Sequence, residues 1–493
     1  MIPEIDAILF DVGGTLVSEA APGTPVDRLV AQPLPGVVDA LRALQSQHRL
    51  GAVTDTAVMD EQAVRALLGP VGLDSLLEVV VTSTDVGAAK PDPASVHEAL
   101  RRLGVDASRA LLIGDRAVDR DAAAAAGVAF AATDAGLRDA IERASRLRSG
   151  AFGAAARRIT SVDESARADA IARHEQLTKP SGSLGRLEAL GAQLAAVSGK
   201  CPPPIPARPA VAVFAGDHGV VAAGVTPWPQ EVTAQMVANF AAGGAAINVL
   251  ARHTGASVHV VDAGVASDIS HLAGVRHYKV RPGTDDLSRG PAMTTADACD
   301  ALDVGARVAA ELVAAGHDLL VTGEMGIGNT TAAAALIACF TGDEPAAVTG
   351  RGTGIDDAML VHKQEVVAHA TARARRWLDP VSVLAEIGGL EIAALAGFIV
   401  GGAAAGVPVV VDGVITCAAL LVADAIVPGV RDRCIAGHRS VEPGASAALS
   451  YLGLVPLVDL DLRLGEGTGG CLAIPLVQCA AAVLSEMATF ADL

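Results

Sequence analysis

Two sets of residues in this sequence have the types and spacing to do chemistry. In the first, Asp11 follows the apolar run AILF and precedes a Gly13-Gly14 turn, Thr54 closes GAVT, Lys90 opens KPDP, and Asp115 and Asp119 lie in LLIGDRAVDRD. A nucleophilic carboxylate, a hydroxyl, an ammonium and an acidic pair able to hold a metal make a phosphoryl-transfer set, because Mg2+ and lysine neutralise the transferring group. The second set lies in glycine-rich segments: KPSGSLGRLE (179–188), GDHGV (216–220), GEMGIGNTT (323–331) and LGEGTGG (464–470). GEMGIGNTT follows an apolar run and precedes the helical AAAALIA, so its backbone N–H groups and the hydroxyls of Thr330 and Thr331 form an expected anion site. Such a turn alone is a weak motif, and a glutamate between glycines, as at Glu466, is by default a turn carboxylate.

Positioning these groups requires strands that end at the polar loops. Short β-branched runs alternate with Ala/Leu-rich stretches along the chain, the pattern of parallel sheets covered by helices, so the expected class is α/β. Strands are read at 7–10, 50–53, 78–81 and 111–113 in the first part, and at 210–214, 257–261, 319–321 and 407–411 in the second. Between about 134 and 160 an Arg-rich helix (137–148) gives way to SGAFGAAARR, whose small residues predict a flexible junction. A polar helix then restarts near Asp163, with Ser161 and Glu164 at capping-box spacing. The expected domains are 1–150 and 160–493.

At 493 residues, more than one core is expected. The net charge of −18 argues against nucleic acid as a partner and favours small metabolites. Seven scattered cysteines without a CxxC fit a reducing compartment, and MIPEIDAILFDV has neither the basic region nor the apolar core of an export leader, so a cytoplasmic protein is expected. The uncharged stretch 392–411 is long enough to cross a bilayer but is flanked by Glu391 and Asp412 without a basic cluster, and is read as a buried helix followed by a strand. GRGTGIDD (350–357) lacks the preceding strand of a dinucleotide fingerprint, so its Asp356-Asp357 pair is read as a helix start.

The first set, in this order, resembles the haloacid dehalogenase superfamily over about residues 5–135. That resemblance implies a Rossmann-like domain with a minimal cap, Asp11 as nucleophile, Thr54 as phosphate ligand, Lys90 as charge stabiliser, and Mg2+ held by Asp11 and Asp115 with Asp119 beside them. The second acid that such phosphatases carry two positions after the nucleophile is here Gly13, and losing a positioned acid typically costs about 10²- to 10⁴-fold. Few residues separate Leu16 from the helix expected near Pro35, so the site should be open.

The glycine-rich segments, with PQEVTAQM (229–236), HKQEVV (362–367), VDGVIT (411–416) and GHRSVEPG (437–444), resemble the nicotinate-nucleotide:dimethylbenzimidazole phosphoribosyltransferases from about residue 163 to 490. This implies a larger parallel-sheet domain with a small helical subdomain, acting as a homodimer without a cofactor. It further implies Glu466 as catalytic base, Glu324, Gly326, Gly328, Asn329, Thr330 and Lys363 at the nucleotide, and Gln235 and Thr226 at the benzimidazole. One local departure is Ala445, where histidine is expected after the glycine of EPG. Arg439 and Glu442 are read as a local ion pair.

Overall fold

The computed structural model describes residues 4–21 and 23–493; Met1 to Pro3, part of the segment read for a leader, and Pro22, in the short stretch after Leu16, lie outside the described residues. The chain forms two compact units, one running to Ser149 together with Trp377–Asp379, the other comprising Gly150–Arg376 and Pro380–Leu493.

In the first unit, strands β1 (Ala7–Phe10), β2 (Arg49–Thr54), β3 (Val79–Thr82), β4 (Ala110–Gly114) and β5 (Ala129–Ala132) form a sheet in the order β3-β2-β1-β4-β5. All pairings are parallel. Because strand side chains alternate faces, Ile8 and Phe10 join Leu50 and Val80 in one core, while Ala7 and Leu9 join Val53 and Val81 in the other. The chain runs β1 to β3 on one side and crosses to β4 on the other, so the β1/β4 boundary is a topological switch point, where open α/β sheets bind ligands beyond the strand ends.

The second unit has β6 (Pro209–Gly216), β7 (Ser257–Gly264), β8 (Val275–His277), β9 (Leu319–Met325), β10 (Val409–Val411) and β11 (Cys434–Ala436) in the order β11-β10-β9-β6-β7-β8. These pairings are also parallel, and the switch point falls between β6 and β9. The stretch with a bilayer's length is the helix Leu390–Ala404, almost entirely buried, followed by β10. It packs on the sheet through Phe398, whose ring meets Phe214 edge to face at 5.4 Å, and on the helix Thr295–Ala314 through glycine: a Cβ on Gly305 would sit 1.7 Å from Ala394 O, and one on Gly397 1.9 Å from Leu302 O. Helices Glu164–His174, Arg186–Ser198 and Thr468–Glu486 share a small alanine-rich core.

Two local readings need correction. The junction read as flexible is helical: Leu137–Ser149 is followed by a short helix, Ala151–Ala156. That second helix packs in the second unit with Phe152 buried, and Phe152 N–H donates to Asp303 Oδ1 at 2.8 Å. Small residues here permit close approach instead of mobility. The cap of Glu164–His174 is Asp163, whose carboxylate accepts from Ala166 N–H at 2.9 Å, not Ser161.

Candidate active sites

In the first unit β1 delivers Asp11 and β2 ends at Thr54, both buried. Lys90 comes from the loop after β3, and its Nζ lies 2.5 Å from both Asp11 Oδ1 and Asp119 Oδ1 and 3.3 Å from Val53 O. Burial of this ammonium is offset by two carboxylates. Asp11 is nonetheless pushed up to about 6, first by burial, with Lys90 opposing. Asp115 accepts from Thr15 Oγ1 at 2.9 Å. Carboxylate oxygens of Asp11, Asp115 and Asp119 lie within 4.8 Å of one another, a hard-oxygen set suited to a divalent cation. Since Asp119 already accepts from Lys90 and from Arg116 N–H at 3.0 Å, Asp11 and Asp115 are the pair better placed to hold one.

In the second unit two adjoining hollows, one larger than the other, lie at the ends of β9 and β10 and share Gly326, Ile327, Asn329, Thr330 and Thr353. Glu324 lines the larger; Gly328, Lys363 and Thr226 line the smaller. Gly328, at φ +92°, caps the helix Asn329–Thr341. The N–H groups of Ile327, Asn329 and Thr331 are already bound, to Thr233 Oγ1, Gly326 O and Gly328 O. These backbone N–H groups are therefore not free to bind an anion, and the polar side chains that line the smaller hollow, Thr226, Thr330 and Lys363 among them, are what it offers instead. Lys363 is 2 % exposed and donates to Thr330 Oγ1 at 2.8 Å; burial brings it down to about 8, with Glu442 opposing.

Glu466 occupies the middle of a turn with three successive positive φ values, 82° at Gly465, 64° at Glu466 and 90° at Gly467. For glutamate the left-handed region costs about 1–2 kcal/mol, so surrounding contacts must hold it. The clamp is Asp412, directly after β10 and 1 % exposed: Oδ2 accepts from Gly467 N–H at 3.1 Å and Oδ1 from Gly470 N–H at 2.8 Å. His438 Nδ1 stands 3.3 Å from the same Oδ1 without hydrogen-bond alignment. The turn abuts β9, since a Cβ on Gly465 would fall 2.1 Å from Glu324 Oε1 and one on Gly323 2.6 Å from Glu466 O.

The Glu466 side chain is buried beneath this turn. One of its oxygens, Oε2, has no partner, and its acidity is weakened first by burial, with a hydrogen bond from the Ile247 backbone opposing. Glu324, held by Asn329 Nδ2 at 2.5 Å, is pushed up to about 8, first by burial and then by the charges of Asp412, Glu391 and Glu466. At neutral pH Glu324 is thus mainly protonated and can donate a hydrogen bond. Below the loop His218 Nε2 lies 2.7 Å from Glu391 Oε1, both side chains fully buried.

Neither hollow includes the side chain of Glu466, although Arg463, Leu464 and Gly465 line the larger one. Gln235 lines neither and is exposed on the helix Val232–Ala241, while Thr226 lines the smaller hollow with Lys363 and Thr330. Asp356 caps Asp357–Ala374 through Met359 N–H at 2.9 Å. The expected Arg439–Glu442 pair is absent: Arg439 is 3.4 Å from Asp459, and Glu442 accepts from Gly352 N–H at 2.8 Å. Sequence reasoning gave no role to Asp412 and read Glu442 only as a partner of Arg439. Asp412 had a signal, an acid directly after a valine strand, as at Asp11; Glu442 had none.

A family model described as "Phosphoribosyltransferase" matches residues 159–493, and one described as "Haloacid dehalogenase-like hydrolase" matches residues 26–133, beginning after the Asp11 segment. The nicotinate-nucleotide–dimethylbenzimidazole phosphoribosyltransferase of Salinispora tropica is 55 % identical over 347 residues, covering 67 % of this chain and 95 % of its own. That of Chloroflexus aggregans is 52 % identical over 335 residues, covering 68 % and 95 %. The crystal structure of CobT from Thermus thermophilus superposes with a TM-score of 0.65 at 49 % identity, covering 66 % of this chain and 98 % of its own.

Proposed function

The chain belongs to the nicotinate-nucleotide–dimethylbenzimidazole phosphoribosyltransferase family, and from that premise we propose that it transfers the 5-phosphoribosyl group of nicotinate mononucleotide to 5,6-dimethylbenzimidazole, giving α-ribazole 5′-phosphate and nicotinate for the cobamide nucleotide loop. The observation that carries the site reading is the clamped turn, which holds a buried glutamate in a strained conformation against β9. Strain of this kind points to function when the surroundings enforce it.

In this reaction the leaving pyridine is already a cation and departs without an acid, and no diphosphate needs neutralising, so the chemistry calls for no metal. What remains is to take the proton of the incoming azole and hold the rings in line. Glu466 is the base, and burial strengthens it in that role. Protonated Glu324 donates toward the nucleotide, and Lys363 and Thr330 anchor the 5′-phosphate; the family resemblance assigns Thr226 and Gln235 to the acceptor base, yet Thr226 lines the smaller hollow with Lys363 and Gln235 is exposed outside both. Attack opposite the β-linked nicotinate inverts the anomeric carbon. Incubation with both substrates and analysis of the products tests the activity; failure to release nicotinate would overturn it.

A second activity is favoured in the first unit by the buried Lys90 bridge between Asp11 and Asp119. Asp11 there is the nucleophile toward a phosphomonoester, Thr54 and Lys90 receive the phosphoryl oxygens, and Asp11 and Asp115 would hold Mg2+, which supplies charge neutralisation when bound. Asp11→Asn should abolish phosphate release and spare nicotinate release.

Two domains are proposed, 1–150 and 160–493, with the intervening helix Ala151–Ala156 belonging to the second. A homodimer is proposed, as the family resemblance implies; Tyr451, Val455, Leu460 and Leu464, close along the chain, are exposed apolar side chains available to such an interface, and light scattering would check it. The free state of all seven cysteines supports a reducing, cytoplasmic setting.

A further inference from the structure

The backbone after Asp11 doubles back on itself. Leu16 and Val17 N–H both donate to Val12 O, at 2.9 and 3.0 Å, and Gly14 N–H donates to Val17 O at 2.8 Å. Val17 then bridges to Gly13 and to Pro33, and Ser18 N–H is held by Gln32 O at 2.9 Å. This fold-back returns Glu19 to Gly13: a Cβ built on Gly13 would meet Glu19 Cγ at 3.9 Å, ordinary van der Waals contact. The space into which a side chain at position 13 would project is therefore approached by the side-chain stem of Glu19, six residues further on, whose carboxyl group lies beyond that contact. Its charge is also among those acting on Asp115, across the same strand ends. Glu19 is exposed, as a group that exchanges protons with an entering ester and with water must be.

We propose that Glu19 supplies the proton donor and acceptor that Gly13 lacks, making the first unit a hydrolase for phosphate esters of primary alcohols. The 5′-phosphate of a riboside, which the second unit's reaction produces, is of this class. This rests on the phosphoryl-transfer reading of Asp11. An alkoxide is a poor leaving group, so an acid is needed there, whereas a nitrophenolate leaves without one. In the first step an Asp11 oxygen bonds to phosphorus, the bond from phosphorus to the ester oxygen breaks, and the Glu19 carboxyl proton goes to that oxygen, releasing the alcohol. In the second, water attacks the aspartyl phosphate, ionised Glu19 takes the water's proton, and the bond from phosphorus to Asp11 breaks. Inorganic phosphate leaves, and Asp11 and Glu19 together again hold the one proton with which the cycle began.

The test uses the full chain with Mg2+, comparing wild type, Glu19→Gln and Glu19→Gln/Gly13→Asp on α-ribazole 5′-phosphate and on 4-nitrophenyl phosphate. Glu19→Gln should lose about 10²- to 10⁴-fold on the alkyl ester. On the aryl ester it should release a burst of nitrophenolate stoichiometric with enzyme and then turn over slowly, because only the second step needs Glu19. Gly13 is not in the positive-φ region, so aspartate fits its backbone, and the double variant should recover at least part of the alkyl activity. Unchanged turnover of both esters in Glu19→Gln, or an equal loss on both without a burst, overturns the Glu19 assignment and leaves the phosphoryl-transfer reading standing. Wild type releasing no phosphate from either ester overturns both.

Discussion

Both units place acids directly beyond the strands at a switch point of a parallel sheet, yet they treat the resulting charge in opposite ways. In the first, Lys90 is built in between Asp11 and Asp119, so two carboxylates share an internal cation. In the second, Glu324 lies near the charges of Asp412, Glu391 and Glu466, and is left to hold a proton instead. On the functions proposed for the two units, the difference follows the charge each reaction would handle. A phosphoryl group arrives as an anion and must meet cations, whereas a nucleotide losing a pyridinium carries positive charge at the ring being attacked, which nearby carboxylates stabilise. One scaffold serves both because the sheet fixes where the groups stand, and the loops decide which sign they present.

The largest expected effect comes from removing the base in the unit without an internal cation. Glu466→Gln keeps the shape and should lower turnover by roughly 10²- to 10⁴-fold, with binding of both substrates changed far less. Steady-state turnover with direct titration of each substrate checks this. Normal limiting turnover with lost nucleotide binding would make Glu466 a binding residue and promote Glu324 to base, breaking the contrast drawn above.

Next in size is the clamp. Asp412→Asn keeps one acceptor oxygen but loses charge-assisted bonds to Gly467 and Gly470, each worth about 1.5–3 kcal/mol. Turnover should fall by about ten- to a hundredfold, taking 1.4 kcal/mol as a tenfold change, with nucleotide affinity largely kept. A positioning role further requires that Asp412→Asn add little in the Glu466→Gln background; full additivity would separate Asp412 from the turn.

Lys363 sharpens the comparison through pH. It is a cation below about 8 and neutral above, and Glu324 loses its proton in the same range, so both changes weaken phosphate binding as pH rises. KM for nicotinate mononucleotide should therefore climb above pH 8, by at most about tenfold per pH unit for each deprotonation. Lys363→Met should raise KM at pH 7 and flatten much of this dependence. A KM independent of pH between 7 and 9.5 in wild type would place the phosphate elsewhere.

Much of the fold was legible because buried parallel strands are written as apolar runs. β5, β8 and β11 escaped: AFAA reads as helix-forming alanine, VRH is a short, partly exposed strand, and CIA is too short to show a period. The Asp11 and Glu466 segments were visible because glycines mark turns that need positive φ or close approach. The contact of Glu442 was not, because Gly352 lies 90 residues away along the chain, and the approach of Glu19 to Gly13 was not, because it depends on a fold-back held by backbone bonds of Val12, Val17 and Gln32 that leaves no periodic pattern. The junction was misread for a related reason: alanine and glycine mark both flexible linkers and tightly packed helices, and only the partner decides which.

That junction yields the smallest effect. If the two chemistries belong to independent cores, a chain beginning at Gly150 and one beginning at Arg157 should both be soluble and transfer phosphoribose at near wild-type rates. They should differ in stability, because only the longer one keeps Phe152 buried and Asp303 as acceptor for its N–H. Burial of a phenylalanine is worth about 1.5–3 kcal/mol, and for a chain of about 340 residues, at an unfolding entropy of about 2.1 cal/mol/K per residue, 1 kcal/mol moves Tm by about 1.4 °C. The shorter chain should therefore melt about 2–4 °C lower, and Phe152→Ala in the longer chain should reproduce most of that shift. Scanning calorimetry with an activity assay on each sample separates the outcomes. Equal melting of the two chains would mean the short helix contributes nothing to the second core, and aggregation of both would mean that the transferase unit does not fold without residues 1–149.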